Sequence, residues 1–349
     1  MRVAIDAMGG DFAPRAVVEG AVAAARDLGI EPILVGAPGV IEGELRRLGA
    51  PTTEIVEAAD VIEMHEHPAM ALRRKRRSSI AVAVEQVRDG RAHAVVSAGH
   101  TGAAMGAAQL VLGRLPGIDR PAIAAVLPTV GASPVVVLDV GANVDCKPAQ
   151  LAQFALMGSL YAQEVLAIAS PRIGLLSNGE EETKGNALTI RAAEILRSMP
   201  IRFVGNVEGR DVLFGAADVV VCDGFVGNVM LKLGEGLVRA IREIVRAELA
   251  GWRGRLWQAY LTPLVGRARR MWRRLDYREY GGAPLLGING VCVIAHGRSN
   301  AHAIRNAVRV AAESARHDLP ARIRAAMREM RVAGGGPGVA AAVAGGSRL

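Results

Sequence analysis

Aromatic residues are scarce in this chain, which has only 5 Phe, 4 Tyr and 3 Trp among 349 residues. Cysteine is scarcer still. Its three copies, Cys146, Cys222 and Cys292, lie far apart and form no CxxC pair, so neither a zinc site nor a redox motif is signalled. Cys222 and Cys292 stand inside apolar runs (VVVCD and GVCVIAH), where a buried thiol in a reducing compartment is expected. No charge-free run of about 18 apolar residues occurs, so no transmembrane helix is expected. The opening MRVAIDAMGGDF reaches Asp6 and Asp11 too soon for a signal peptide, which points to the cytoplasm. GxGxxG does not follow the first apolar run, because Gly9-Gly10-Asp11 breaks the pattern, and GxxxxGK[ST] is missing. A dinucleotide site of the usual kind and a P-loop are therefore unsupported. Helix-turn-helix and RNP-type motifs are missing too, so no nucleic-acid partner is expected.

What is present reads as an α/β protein. Hydrophobic residues make up 51% and charged residues 22%, with 41 glycines. The formal charge of +8, from 42 Lys+Arg against 34 Asp+Glu, favours an anionic partner without identifying it. One phrase recurs: a short β-branched run ending in small and polar residues. RVAID leads into AMGGD, AVVSAG into HTGAAMG, and VVVLDVG into ANVDCKP. IGLLSNG leads into EEETKGN, DVVVCDG into FVGNVML, and VCVIAHG into RSNAHAI. Each run has the length of a strand buried on both faces. Helical stretches are expected over Ala16–Leu28, Ala149–Ala167, Asn186–Ser198 and Asn300–Ala315. Strands alternating with helices imply a largely parallel sheet with helices on both faces, covering residues 1–331 as one catalytic domain. Six polar, Gly-rich strand ends gathered on one edge would form an amide-lined cleft. Residues 332–349, whose Gly334–Leu349 stretch is of low complexity, are expected to be a disordered tail.

Residues 237–280 break this rhythm. Leu237, Ile241, Ile244, Val245, Leu249 and Trp252 follow helical spacing, and a second apolar series begins at Leu256 and Trp257. All three tryptophans and three of the four tyrosines lie in this segment, interleaved with arginines. Pro263 and Gly266 would mark the tip of a projecting helical hairpin. Tryptophan and leucine on one side with arginine on the other suit an interfacial membrane helix. Trp252, Leu256, Trp257, Leu261 and Leu264 are the expected contacts with an anionic membrane surface. Packing of the hairpin against a partner subunit is an equal and compatible reading.

The phrases DAMGGDFAP, AVVSAGHTGA, VLDVGANVDCKP, GEEETKGN, NVEGRD, VVVCDGFVGN and YGGAPLLGINGVCVIAHGRSN occur here in one order. In that order they resemble the phosphate acyltransferase family of bacterial phospholipid synthesis, also called acyl-ACP:phosphate transacylases. The resemblance runs from Met1 to about Ala315. It implies an enzyme that turns long-chain acyl-[acyl carrier protein] and inorganic phosphate into acyl phosphate and free carrier protein. A glycerol-3-phosphate acyltransferase would use the product downstream. The implied fold is a three-layer αβα sandwich like the phosphotransacetylase and isocitrate dehydrogenase group. A homodimer, peripheral membrane association, and no cofactor or metal are implied as well. The chain departs from the family's usual phrases in two places. His100 stands where SAGNTGA has asparagine, and LLSNGEE with Asn178 replaces LLNIGEE.

Attack of phosphate on a thioester needs a held dianion and a stabilised oxyanion, but no activated Ser or Cys. Lys184, after a strand end, is the first candidate to pair with phosphate or oxyanion; alone it would read as a helix-start lysine paired with Glu181 or Glu182. Asn228 follows the glycines of GFVGN at a helix start, where anions bind. His100 is a possible third catalytic donor. Asp6, Gly9, Gly10, Asp11, Thr101, Gly102, Asp139, Asn143, Asn186, Asp223 and Gly227 are candidate phosphate- or substrate-binding positions. Several of them also fit plain helix caps. Arg73, Arg74 and Lys75, in ALRRKRRSS, offer a cationic strip for an acidic carrier protein or phosphate. The MHEHP stretch and the three strand-end aspartates give no convincing metal set. Cys146 is a weak candidate for a covalent acyl acceptor.

Overall fold

The computed structural model describes residues 1–131, 133–249 and 277–332. The chain runs β1 (Arg2–Asp6), α1 (Arg15–Leu28), β2 (Glu31–Gly36), α2 (Pro38–Arg47), β3 (Glu54–Glu57), α3 (Pro68–Arg74), α4 (Ser79–Arg88), β4 (Ala94–Ser97) and α5 (Thr101–Val111). It continues with β5 (Ala122–Leu127), β6 (Val135–Leu138), α6 (Pro148–Glu164), β7 (Ile173–Ser177), α7 (Ala187–Arg197), β8 (Phe203–Glu208) and β9 (Val219–Val221). After these come α8 (Gly224–Leu249), the single turn α9 (Tyr277–Tyr280), β10 (Ala283–Leu286), β11 (Cys292–Ile294), α10 (Ala301–Arg316) and α11 (Leu319–Val332). All six recurring phrases begin as strands. Asn186, Ser198 and Asn300, expected at helix ends, are the caps of α7 and α10.

One 11-stranded sheet orders them β3-β2-β1-β4-β11-β10-β5-β6-β9-β7-β8. Side chains alternate across it. Ala4 and Val137 join one apolar cluster with α3, α4, α5 and the α8 residues Met230 and Leu231. Val3 and Ile5 face α1, α2 and α10. Val136 and Leu138 face α6, α7 and α11. The first cluster lines one face of the sheet and the other two share the opposite face, so the three layers are helices, sheet and helices. Alanine and glycine keep them thin where aromatics are few. At Gly20 of α1, an added Cβ would lie 2.6 Å from Ile304 Cβ on α10, so only glycine permits that approach.

The sheet is largely parallel, as expected, but three antiparallel pairs at its centre divide it into two blocks. The pairs β11–β10, β10–β5 and β5–β6 are antiparallel, and the other neighbours are parallel. The block β3-β2-β1-β4-β11 therefore runs opposite to β6-β9-β7-β8. The carboxyl ends of β1, β4 and β11 share one edge, and those of β6, β7 and β9 share the other. The six polar strand ends do not gather on a single edge. They form two clusters of three.

Of the expected hairpin, only the ends are described. Leu237, Ile241, Ile244 and Val245 continue α8 and are exposed. The membrane-contact candidates Trp252, Leu256, Trp257, Leu261 and Leu264 lie outside the described residues, as does the chain beyond Val332. No helix among the described residues is long and apolar enough to cross a membrane.

Candidate active site

At the edge where β6, β7 and β9 end, a buried carboxylate organises the loops. Asp139 accepts hydrogen bonds from the backbone N–H of Ile123, Gly141, Ala142 and Asn143, and from the Asn143 side-chain amide. Burial pushes its carboxyl up from the ordinary range, against the pull of these donors. The second hydrogen of the Asn143 amide goes to the Pro121 carbonyl at 2.8 Å. Gly227, in the first turn of α8, lies so close that an added Cβ would sit 1.9 Å from the Asp139 carbonyl oxygen. Asp223 accepts from the Val226 N–H at 2.9 Å and so caps α8. Asn228 is exposed, with its amide 3.6 Å from the Cβ position of Gly141. The two asparagines thus have different duties: Asn143 is a strut, while Asn228 offers its amide outward.

Lys184 rides on the loop after β7. The Asn178 side-chain oxygen accepts from the Gly185 N–H at 2.9 Å, closing the loop from below. Asn206 donates to the Glu181 carbonyl at 2.9 Å. Glu182, one acid expected to neutralise Lys184, pairs instead with Arg197 at 3.1 Å. Lys184 itself is exposed and forms no ion pair among the described residues. Asn186 caps α7 by accepting from the Thr189 N–H at 3.0 Å, with the Thr189 hydroxyl reciprocating.

The opposite edge gathers the ends of β1, β4 and β11. Asp6 is only 2% exposed. It accepts from the Ser97 hydroxyl at 2.7 Å, and Ser97 in turn accepts from the Gly99 N–H at 3.1 Å. Desolvation raises the Asp6 carboxyl, and hydrogen bonds including one from Ser79 oppose the rise. Asp6 therefore braces the turn that follows β4. The loops themselves are packed backbone to backbone. At Gly10 (φ +105°), an added Cβ would lie 3.1 Å from the carbonyls of both Ala98 and Gly297, and at Gly9 it would lie 2.7 Å from the Gly99 nitrogen. Asp11, exposed at the rim, donates its N–H to the Gly297 carbonyl.

His100 resolves one departure from the family phrase. It is the N-cap of α5, and its Nδ1 accepts from the Gly102 N–H at 3.1 Å. Asparagine would offer its side-chain oxygen to the same N–H, so imidazole here replaces an amide of like function. Thr101 is the exposed first residue of α5. Changing His100 to alanine is expected to cost about 1 kcal/mol of stability. Asparagine at this position should restore it in chemical unfolding, with little effect on turnover.

Lys75 is committed internally, donating to the Val61 carbonyl at 2.7 Å and to Glu66 at 2.6 Å. Arg73 and Arg74 are exposed and form no ion pair among the described residues. Cys146 has its thiol pushed up to about 12, chiefly by burial, which disfavours the thiolate an acyl acceptor needs. Among the described residues no group of three or more His, Cys, Asp or Glu is arranged to hold a metal.

Helix α8 joins the two edges. It starts against Asp139, packs Met230 and Leu231 on the sheet, and brings Lys232 and Glu235 within electrostatic range of His296 at the end of β11. His296 was not singled out by the sequence reading. A lone histidine carries little signal, and its neighbours Asp11 and Lys232 are remote in sequence.

Comparison with known proteins places this architecture. Residues 1–322 match the family model described as "Fatty acid synthesis protein". The phosphate acyltransferase of Pelotomaculum thermopropionicum is 53% identical over 338 residues, which is 96% of this chain and 98% of the relative. That of Thermosynechococcus vestitus is 53% identical over 334 residues, 94% of this chain and 96% of the relative. Among solved structures, a phosphotransacetylase from Streptococcus pyogenes superposes with a TM-score of 0.62 at 19% identity, covering 90% of this chain and 94% of that one. A branched-chain phosphotransacylase from Enterococcus faecalis gives 0.55 at 15% identity, covering 91% and 99%. The structural likeness supports the αβα fold, and the sequence likeness, extending over nearly the whole of both chains, shows that this chain belongs to the phosphate acyltransferase family.

Proposed function

We propose that the chain transfers a long-chain acyl group from the thioester of acyl carrier protein to inorganic phosphate, releasing acyl phosphate and carrier thiol. Family membership establishes an acyltransferase of fatty acid or phospholipid synthesis that works with phosphate. The choice of carrier thioester is our reading. The observation that supports transfer to phosphate is Lys184: a cation on a loop tied at both ends, forming no ion pair among the described residues, with the adjacent Glu182 committed to Arg197. Such a cation can meet an anionic reactant without first breaking an ion pair. The exposed Arg73 and Arg74 give an acidic carrier a complementary surface.

The reading extends to assembly. Val229, Leu233, Leu237, Ile241 and Ile244 are exposed and follow one another at helical spacing along α8. Such an apolar stripe suits a second copy of the chain, giving a homodimer, or a lipid surface. The Trp/Arg-rich stretch that follows α8 in sequence supports peripheral contact with an anionic membrane, where a downstream glycerol-3-phosphate acyltransferase would receive a product poorly soluble in water.

Palmitoyl-ACP with and without phosphate provides the test. Phosphate-dependent release of free thiol and formation of acyl phosphate are expected. Thiol release independent of phosphate, or efficient turnover of acetyl-CoA but not acyl-ACP, would overturn the carrier assignment. Flotation with anionic liposomes should be lost when Trp257→Ala and Leu261→Glu are combined. Undiminished flotation would remove the membrane role from that stretch.

A further inference from the structure

We infer that Gly179 is a positioning residue for the transfer: the space left by its missing side chain seats the stem of Lys184 and so fixes where the ammonium can reach. This rests on the acyl transfer proposed above, in which Lys184 meets the anionic reactant, and it identifies what holds that lysine in place.

Gly179 follows β7 and is buried, although its neighbours Asn178 and Glu180 are exposed. A Cβ added to it would lie 2.6 Å from Lys184 Cγ and 3.1 Å from Lys184 Cδ. These atoms are the middle of the lysine stem, not its free end, and they move aside only if the side chain changes rotamer. Gly179 does not have a positive φ, so its backbone conformation is open to any residue. The lysine, rather than the turn, is what calls for glycine here.

The backbone of Lys184 is fixed as well. Its N–H donates to the Glu181 carbonyl at 3.0 Å, and the Asn206 amide donates to the same oxygen at 2.9 Å. The next residue, Gly185 (φ +106°), donates its N–H to the Asn178 side-chain oxygen at 2.9 Å, and a Cβ there would run into Thr189 Oγ1. With its backbone held on both sides and its stem seated on Gly179, the lysine leaves its ammonium a narrow arc. An exposed lysine ordinarily loses much rotamer freedom when it engages a ligand. Here part of that loss is taken on folding, before phosphate arrives.

Glu181 raises the cost of leaving the seat. Its Oε2 lies 2.9 Å from the same added Cβ, yet Lys184 forms no ion pair with it. A methyl group at position 179 would push the stem off its seat with a carboxylate alongside to pair with. Displacement would then both misdirect the cation and neutralise it.

The test uses the full chain with palmitoyl-ACP and phosphate, comparing wild type, Gly179→Ala, Lys184→Ala and the double variant. Gly179→Ala should lower kcat about 10- to 30-fold, with the thermal midpoint within about two degrees of wild type. In the Lys184→Ala background, followed as single-turnover thiol release, adding Gly179→Ala should change the rate by less than about twofold, because the methyl occupies space the lysine has vacated. Gly179→Ala retaining kcat within about threefold would show that the lysine finds its place without the seat, and would overturn the inference. Equal losses in both backgrounds would overturn it too, because the methyl would then act on the loop and not through Lys184. Should Gly179→Ala alone fold poorly, the double variant has no stem to clash with and should regain the wild-type midpoint; a double variant equally destabilised sinks the idea. Wild type that releases no thiol with phosphate, or Lys184→Ala as active as wild type, refutes instead the reading beneath it, and both show in the controls before the Gly179 variants are compared.

Discussion

Lys184→Ala should lower kcat by about 100- to 1,000-fold while leaving the thermal midpoint within a degree or two of wild type. The size follows from removing a cation from a site where negative charge accumulates. The preserved stability follows from the surroundings. The side chain is exposed and has no ion-pair partner among the described residues, while the loop is held by Asn178 and Asn206 rather than by the lysine. Lys184→Arg should recover only part of the activity, because a broad planar fork replaces a point charge. Steady-state rates with varied phosphate, together with a melting curve, check both halves. Alanine turning over at more than a third of the wild-type rate would place the phosphate-binding charge elsewhere, with the exposed Arg73 and Arg74 as the next candidates.

The second large effect concerns stability. Asp139→Ala would strip the acceptor from four backbone N–H groups and one side-chain amide, in a place with no exposure of the carboxylate. An unsatisfied buried donor costs about 1–3 kcal/mol. Even with partial relaxation and water entry, a total loss of about 4 kcal/mol or more is expected from urea unfolding. Asp139→Asn should fall between, since one oxygen is kept but an NH2 group faces the Asn143 donors. A loss below about 1 kcal/mol for alanine would mean that the loop refolds around the gap. The soluble Asp139→Asn protein should also show weakened turnover, because the same carboxylate fixes the Gly141 backbone against which Asn228 rests.

The local architecture was legible because its cause is local. RVAID, AVVS, VVVL, IGLLS, VVV and CVI are short, β-branched and uncharged until their ends, and they form strands. Asn186 and Asn300 announce helix starts because a short polar side chain before an apolar period has a specific donor to satisfy. Strand direction was not legible in the same way. AIAAVL in β5 and APLL in β10 carry no mark of antiparallel pairing, because a strand buried on both faces reads the same either way. The reversal between blocks, and with it the division of the polar strand ends into two clusters, depends on contacts between residues more than 100 positions apart. For the site, residue types were better signals than roles. Asp6, Asp139, Asn143 and Asn186 were noticed as polar residues at strand and helix ends. The burial of the two aspartates and the hydrogen bonds of all four show that they hold loops and helix starts in place. Lys75 sits in an evident cationic run, yet only the fold reveals that Glu66 and the Val61 carbonyl already occupy it.

The strand order has a consequence for how the chain is made. β4 is flanked by β1, which leaves the ribosome before it, and by β11, which does not appear until residues 292–294. At 5–20 residues per second, the roughly 200 residues between them take about 10–40 s to synthesise. If the first block folds as it emerges, it can be complete only as far as β4, a strand buried on both faces in the finished protein, and its outer edge is bare over that interval. Such an edge is a template for mispairing with another nascent chain. A truncation that stops before β11 never covers it, so such fragments should aggregate rather than accumulate as soluble domains.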